Sequence, residues 1–298
     1  MKGTIGIFKS MIKICKRCTM KFIYGDVNSF NDLRGIMTRK YCDQCIVQQH
    51  RDESRLYQNK IKMNKKVIFQ MMKIYKDFES IKQATPYIVS LSKPGKMETY
   101  GYSTSALDCN QGGKLHKVKG SVCEHCYARK GRYIFPDVQA CLGKRLDKIL
   151  NEPYWTDAMI YILNNKRINN KLLTIFRWHD SGDLQSMQHF RKIIEIAKMT
   201  PTITHWLPTK EIKLMKEFVK TGDKLPKNLN VRVSAFMVDG KPIKLKGMTT
   251  SVVITKDKMG KTKGLDCPVY SDPSHGNQCG SCTACYDKTV KNINYLQH

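Results

Sequence analysis

Twelve cysteines, most of them in close pairs, are the feature that most constrains this 298-residue chain. The first twenty residues contain basic side chains but no apolar stretch or small-residue cleavage site, so nothing there marks the chain for export. Cysteines remain reduced in the cytoplasm, and clustered reduced cysteines are typically metal ligands. We therefore expect a cytoplasmic metalloprotein. No apolar run approaches the ~20 residues of a membrane span, so no membrane partner is expected.

The N-terminal cysteines form two Cys-x-x-Cys pairs, which are Cys15 with Cys18 and Cys42 with Cys45. Two such pairs supply the four thiolates of a closed tetrahedral zinc site. The sequence predicts a small structural zinc ribbon with bound Zn²⁺ over residues 1–50.

The central group contains Cys109, Cys123 and Cys126. Three thiolates suffice for an iron–sulfur cluster that leaves one iron open. The alternative is a zinc site completed by one of three further residues, which are His116, His125 and Cys141. Cys141 lies on a predicted helix beside its apolar face, which favours a core thiol. The spacing differs from the C-x3-C-x2-C pattern of ordinary radical-SAM enzymes.

The C-terminal group combines a C-x2-C-x2-C run, Cys279, Cys282 and Cys285, with the more distant Cys267. This tight spacing is typical of ferredoxin-type clusters, in which a remote cysteine is the fourth ligand. Zinc is the alternative, but the triplet is less usual for zinc. We expect a 4Fe–4S cluster here.

Beyond residue 85 the hydrophobic pattern alternates between strands and helices, which indicates βαβ units and a parallel sheet. Strands are predicted at 87–91, 172–178, 202–207, 230–236 and 250–254, and helices at 137–150, 154–163, 187–198 and 209–219. Five strands are too few for a closed eight-stranded barrel, so the predicted fold is α/β with an open or partial (β/α) barrel. The predicted parts are the ribbon (1–50), a helical connector (51–84) and the α/β metal-cluster domain (85–298).

Charged side chains follow two predicted strands, at the edge where parallel α/β folds collect reactive groups. His179, Asp180 and Asp183 follow the first strand, and Lys210 and Glu211 follow the next. These five are the candidate catalytic residues, offering an acid/base pair and a cation. The alternative readings are that Asp183 or Ser186 caps the following helix, and that Lys210 and Glu211 occupy an exposed first turn.

The net charge of +27, from 52 basic and 25 acidic residues, favours a polyanionic partner. Nucleic acid is the commonest such partner inside cells. The alternative is a generally lysine-rich composition, since lysines occur along the whole chain.

Four segments resemble, in order, the phage family catalogued as gene product 88. They are residues 121–133 (SVCEHCYARKGRY), 176–186 (FRWHDSGDLQS), 200–211 (TPTITHWLPTKE) and 278–286 (QCGSCTACY). The resemblance covers roughly residues 85–298. It implies a phage or mobile-element origin, hence the host cytoplasm, and a barrel-like fold, but no established reaction. The N-terminal cysteine pairs are similar to prefixes of some phage HNH endonucleases, but no HNH core follows them.

These observations leave three hypotheses. The first is an iron–sulfur, radical-SAM-like enzyme acting on nucleic acid or a nucleotide, although no glycine-rich motif supports S-adenosylmethionine binding. The second is a non-catalytic nucleic-acid-binding or host-interaction protein with structural metals. The third is a metal-dependent nuclease using His179, Asp180 and Asp183.

Overall fold

The computed structural model describes residues 76–297 and the backbone of two short antiparallel strands, β1 (Ile12–Ile14) and β2 (Lys21–Ile23). The predicted zinc ligands Cys15, Cys18, Cys42 and Cys45 lie outside the described residues, as does most of the predicted connector. The chain divides into two compact units, residues 1–74 and 75–298. The second unit contains the other eight cysteines.

One seven-stranded sheet forms the centre of the second unit, and every neighbouring pair of strands is parallel. The strands are β3 (Tyr100–Tyr102), β6 (Ile175–Trp178), β7 (Thr204–Thr209), β8 (Leu229–Ser234), β9 (Thr249–Ile254), β10 (Leu265–Asp266) and β11 (Asn292–Leu296). Their order across the sheet is β10–β11–β9–β8–β7–β6–β3. The predicted α/β class with a parallel sheet is confirmed. β3 and β10 are the two edges of an open sheet, and its curvature into a partial barrel remains a prediction.

Helices connect the strands and cover one face of the sheet. They are α1 (Ile81–Ala84), α2 (Asn110–Leu115), α3 (Pro136–Asn151), α4 (Trp155–Asn165), α5 (Met187–Met199), α6 (Ile212–Thr221) and α7 (Pro268–Ser271). Alternate strand residues such as Phe176, Trp178 and Val231 pack with Phe190 of α5 and Met215 of α6 in the main core. Intervening strand residues face a smaller cluster formed by Met97, Trp206 and Tyr286. With both faces covered, the apolar strands of a parallel sheet are shielded from water.

Two of the predicted strands differ most from the structure. Residues 87–91 are not a strand, because Pro86 begins a short 3₁₀ turn (Thr85–Tyr87) and Val89 has a φ of +71°. The first strand is instead β3. Strand β6 begins at Ile175, because the preceding Lys171–Leu172 (β5) pairs antiparallel with Arg167–Ile168 (β4). The two turn residues, Asn169 and Asn170, both have positive φ, as a tight hairpin turn requires.

Candidate metal centre

The ends of β3, β6 and β7 lie side by side, and backbone contacts fix the segments that follow them. The Thr104 amide donates to the Ser181 carbonyl (3.1 Å), and the Ser181 hydroxyl donates to the Thr104 carbonyl (2.8 Å). Gly182, with a φ of +80°, permits this approach, since a Cβ there would lie 2.9 Å from the Thr104 carbonyl oxygen. These contacts form a compact rim at the carboxyl edge of the sheet.

Asp183 joins the loops that follow β6 and β7. Its Oδ1 accepts hydrogen bonds from the Thr209 hydroxyl and the Leu184 amide, both at 2.7 Å, and its Oδ2 accepts from the Lys210 amide at 2.8 Å. Burial raises the pKa of Asp183, and these hydrogen bonds oppose that shift. The cap of α5 is Ser186, whose hydroxyl accepts from an amide of the first turn. Asp183 therefore links the rim and does not cap the helix.

Glu211 connects the rim to the central cysteines. Its Oε1 accepts a hydrogen bond from the Gln111 amide at 2.7 Å. Gln111 lies in the first turn of α2, and Cys109 immediately precedes that helix. Glu211 is buried, with 8% of its surface exposed, so it does not occupy the exposed turn of the alternative reading. Its carboxylate holds the helix that positions Cys109.

The central cysteines lie beside Gly112. The position that a Gly112 Cβ would take is 3.5 Å from the Cys109 sulfur and 3.8 Å from the Cys123 sulfur. The Cys126 amide donates to the Cys123 carbonyl at 3.3 Å, which closes the Cys-x-x-Cys turn. Glycine at position 112 therefore keeps the space next to two sulfurs free of a side chain.

The charges around these thiols show which groups share their surroundings. Burial raises the pKa of Cys109, and the negative charges of Asp183, Cys126 and Cys123 raise it further. The ammonium group of Lys210 acts in the opposite direction on both Cys109 and Cys123. Burial and these negative charges therefore favour the protonated forms of Cys109, which is half-buried, and of Cys123, which is buried. A bound metal ion supplies the positive charge that makes such thiols thiolates.

Among residues 76–297, no group of three or more His, Cys, Asp or Glu side chains is arranged to hold a single metal ion. A single zinc ion requires its sulfur donors at about 2.3 Å from one point. The ligands of an iron–sulfur cluster bind different irons and are spaced more widely. A zinc site and an iron–sulfur cluster therefore require different separations between their sulfur ligands.

The three candidates for a fourth zinc ligand have different surroundings. His125 has a side chain that is 70% exposed and approaches Glu124 at 3.8 Å. His116 lies beside the central cysteines, because its Nδ1 is 3.0 Å from the Cys123 carbonyl oxygen. Cys141 lies on α3, and its sulfur is 3.9 Å from the Ser90 hydroxyl oxygen.

His179 and Asp180 point in different directions. His179 has a φ of +50°, and its ring contacts His189 of α5 at a centroid distance of 5.3 Å. Burial, assisted by the charge of Arg177, lowers the pKa of His179 to about 3. Asp180 instead accepts hydrogen bonds from the Tyr127 hydroxyl, at its carbonyl, and from the Tyr133 hydroxyl, at its carboxylate. The rim thus brings Asp183, Lys210 and Glu211 near the cysteines, whereas His179 lies among the helices.

The C-terminal cysteines lie on a loop that buried polar side chains hold against the sheet. The Arg232 guanidinium donates to the carbonyls of Ala284, Asp287 and Val290. The Asn230 side chain donates to the Cys285 carbonyl at 2.9 Å. These side chains therefore hold the loop through its backbone carbonyls.

The four C-terminal thiols influence one another. Burial raises the pKa of Cys267 to about 12, and the charges of Cys285, Cys279 and Cys282 contribute in the same direction. The Cys285 sulfur lies 3.1 Å from the Tyr295 hydroxyl. The four thiols are therefore close enough to affect one another's pKa, and a hydroxyl lies next to one of the sulfurs.

The family model described as gene product 88 matches residues 76–292, which include both cysteine groups and the rim. The chain belongs to the gene product 88 family. The resemblance inferred from its four segments is thereby confirmed, and the match is consistent with a phage protein. No curated protein and no solved structure matches the chain.

Arg177 is a candidate functional residue of this gene product 88 family member that the sequence analysis did not select. It lies in β6 between the buried Phe176 and Trp178, and its guanidinium is 4.8 Å from the centre of the Trp206 ring. Its charge acts on Tyr127, beside the central cysteines, and on Cys279 and Cys285. The sequence signal that could have identified Arg177 is a charged residue inside an otherwise apolar strand.

Lysines are concentrated in the segment that follows β9 of this family member. Lys256, Lys258, Lys261 and Lys263 are all exposed, and Lys258 forms an ion pair with Asp239 at 3.3 Å. The backbone of Val122, adjacent to Cys123, bonds to the segment after β8. Lys256 and Lys258 therefore lie near the carboxyl end of β9, at the edge that carries the central cysteines. Lys263 lies beside Asn292, the first residue of β11, so the basic segment runs from one edge of the sheet to the other. In the described part of the chain, no helix has the length and apolar character needed to cross a membrane.

Proposed function

We propose that this protein is a phage metalloenzyme of the host cytoplasm whose central cysteines hold an iron–sulfur cluster. The observation that carries the proposal is the gathering of Cys109, Cys123 and Cys126 at the carboxyl edge of a parallel sheet, near Asp183 and Lys210. Three thiolates leave one position of a cluster open, and an open position distinguishes catalytic from structural metal sites. S-adenosylmethionine at such a position would supply radical chemistry.

The residues of the chain have separate roles in this proposal. Asp183 and Glu211 are positioning residues, because they hold the rim loops and the helix that follows Cys109. Lys210 supplies a cation for an anionic ligand or for the cluster itself. The C-terminal cysteines bind a second, closed 4Fe–4S cluster, and the four N-terminal cysteines bind structural zinc.

The proposed substrate is a nucleic acid or a nucleotide. The net charge of +27 and the exposed lysines after β9 support this class, because phosphate groups are the polyanions that such a surface attracts. The basic segment begins at the edge of the sheet that carries the central cysteines, so a strand bound to Lys256 and Lys258 would lie at the edge of the site.

The test is the metal content of anaerobically purified protein. We expect iron, sulfide and a broad absorbance at roughly 400 nm, together with zinc. Cys109→Ser and Cys123→Ser should each lose part of the iron, whereas Cys141→Ser is the matched control and should retain it. Colourless protein that contains zinc and no iron would contradict the proposal.

The second candidate is a nucleic-acid-binding protein whose metals are all structural. The observation that favours it is that backbone amides donate hydrogen bonds to the buried carboxylates of Asp183 and Glu211. Both carboxylates therefore have a structural use. Incubation of the iron-loaded protein with S-adenosylmethionine and a reductant separates the two. Release of 5′-deoxyadenosine supports the enzyme, and its absence together with salt-dependent nucleic-acid binding supports the second candidate.

A nuclease built on His179, Asp180 and Asp183 receives less support. His179 lies against His189, Asp180 binds two tyrosines, and Asp183 already accepts three hydrogen bonds. Incubation with plasmid and magnesium or manganese should accordingly leave the DNA intact.

A further inference from the structure

Three hydrogen-bond donors on the sheet face opposite the main core are buried and have no partner within the described residues. They are the Arg177 Nε, the Trp206 Nε1 and the Tyr286 hydroxyl. An unpartnered buried donor is destabilising, and most buried polar groups in proteins are satisfied. Three such donors in contact indicate that something outside the polypeptide completes them.

The three side chains form one continuous group. The Arg177 guanidinium is 4.8 Å from the centre of the Trp206 ring. The rings of Trp206 and Tyr286 are 5.8 Å apart and meet edge to face. Both rings belong to the cluster formed with Met97. Donors that come from β6, from β7 and from the C-terminal segment are therefore neighbours.

The polypeptide offers these donors few alternatives. An Arg177 Nη approaches the Met97 sulfur at 3.9 Å, which is a weak acceptor. The hydroxyl of Thr99 donates to the Ile175 carbonyl and lies beside Tyr286, so its oxygen is the acceptor that the polypeptide places nearest to the phenol. Asp180 and Tyr127 lie close enough to influence Arg177, but within residues 76–297 no carboxylate forms an ion pair with it.

All three groups can donate, and the Arg177 guanidinium and the Trp206 indole have no acceptor capacity. Such a set is complementary to a group rich in acceptors and negative in charge, and arginine is the residue best suited to oxyanions. We propose that Arg177, Trp206 and Tyr286 bind an oxyanion, the phosphate or carboxylate group of a small ligand.

The site lies between the two cysteine groups, because the Arg177 charge acts on Tyr127 beside Cys126 and on Cys279 and Cys285. This proposal does not depend on the identity of the metals.

The test measures thermal unfolding of the full chain in inorganic phosphate and in acetate, with sodium chloride at equal ionic strength as the reference. A ligand at ten times its Kd should raise the Tm by about 2–4 °C. Arg177→Met should weaken binding at least tenfold, since it removes a charge-assisted hydrogen bond. Trp206→Phe and Tyr286→Phe each retain an aromatic ring and remove one donor, and each should weaken binding several-fold. The matched control is Arg191→Met, on the exposed side of α5.

A second readout separates ligand binding from a merely structural role. Without oxyanion, Arg177→Met should unfold at the same or a higher temperature than the parent chain, because it removes a buried Nε donor that has no partner. Preference for phosphate or for acetate identifies the group bound, and either supports the site. Binding that survives Arg177→Met, or that Arg191→Met weakens equally, would overturn the proposal. So would a change in metal content on Arg177→Met with oxyanion binding unaltered, since the guanidinium would then serve the cysteines.

Discussion

At the scale of single residues, His205 shows how buried polar groups are satisfied in this protein. It is fully buried, the Trp178 indole donates to its Nδ1 at 3.3 Å, and its Nε2 is 2.8 Å from the Thr200 hydroxyl. Thr200 itself donates to the Ile196 carbonyl, so His205 must donate through Nε2 and accept through Nδ1. That tautomer is neutral, and both of its ring nitrogens are satisfied.

Protonation of His205 would place two N–H donors against each other. Burial lowers its pKa to about 3, against 6.5 in the unfolded chain. Between those values the unfolded state binds a proton that the folded state does not, so stability falls as the pH drops below about 6.5. We expect His205→Gln to reduce this loss by up to about 1.4 kcal/mol per pH unit. The measurement is urea unfolding between pH 7 and pH 5.

The control for this prediction is His125→Gln, at a side chain that is 70% exposed. Its pH dependence should match that of the parent chain. A His205→Gln variant that loses stability with acid as steeply as the parent would show that His205 is charged in the folded protein.

At the scale of secondary-structure elements, the approach of the loop after β6 to the segment after β3 depends on Gly182. A Cβ there would lie 2.0 Å from the Thr104 hydroxyl oxygen and 2.9 Å from its carbonyl oxygen, and φ is +80°. We expect Gly182→Ala to destabilise the fold by more than about 2 kcal/mol, because the strained backbone and the clash add. The measurement is the midpoint of guanidinium unfolding.

Gly143, inside α3, is the control glycine, at which we expect an added Cβ to have the opposite effect on stability. No atom lies within 4 Å of the position its Cβ would take. Gly143→Ala should therefore stabilise the protein by about 0.5–1 kcal/mol, since alanine loses less conformational entropy in a helix. If both substitutions moved the midpoint in the same direction, the contact between the two loops would not be what makes Gly182 necessary.

At the scale of the whole molecule, the charge of +27 should appear as salt-dependent binding of nucleic acid. We expect replacement of Lys256, Lys258, Lys261 and Lys263 by glutamine to reduce the slope of log K against log salt. The reduction should be up to about 0.9 for each phosphate group that the variant no longer neutralises. The measurement is a DNA and RNA titration over a range of salt concentrations around the physiological value.

Four exposed lysines on α5 and α6 provide a control of equal charge, and they are Lys198, Lys213, Lys216 and Lys220. Their replacement by glutamine should leave the slope closer to that of the parent chain. Equal reductions in the two variants would mean that binding follows net charge alone and that the segment after β9 is not a docking surface.

Local patterns in the sequence were sufficient to locate several elements. The helix predicted at 187–198 is α5, Met187–Met199, because its apolar stripe and its Ser186 cap are both local signals. Strand β9 was found for a similar reason. In contrast, β3 has three residues with a glycine at its centre, and β10 has two. Such strands exist because their neighbours pair with them, so their own residues carry almost no signal.

The prediction for His179 shows where local reasoning stops. Alternation along β6 would place His179 on the face of Arg177, but its left-handed backbone breaks the alternation. Its ring consequently meets His189 of α5. A single φ value, fixed by contacts between loops, thus separated this residue from the rim where Asp183 and Glu211 lie.

The sequence by itself determined that this chain is a cysteine-rich α/β protein of the gene product 88 family, because family motifs, periodicity and cysteine spacing are properties of neighbouring residues. Only the tertiary structure decided which distant residues meet. Cys109 approaches Cys123 because Glu211 holds α2 against the rim, and Arg177 faces Trp206 and Tyr286 because parallel pairing and the C-terminal loop bring three separate segments together. Such contacts depend on hydrogen bonds and packing across the whole sheet, which no local pattern encodes.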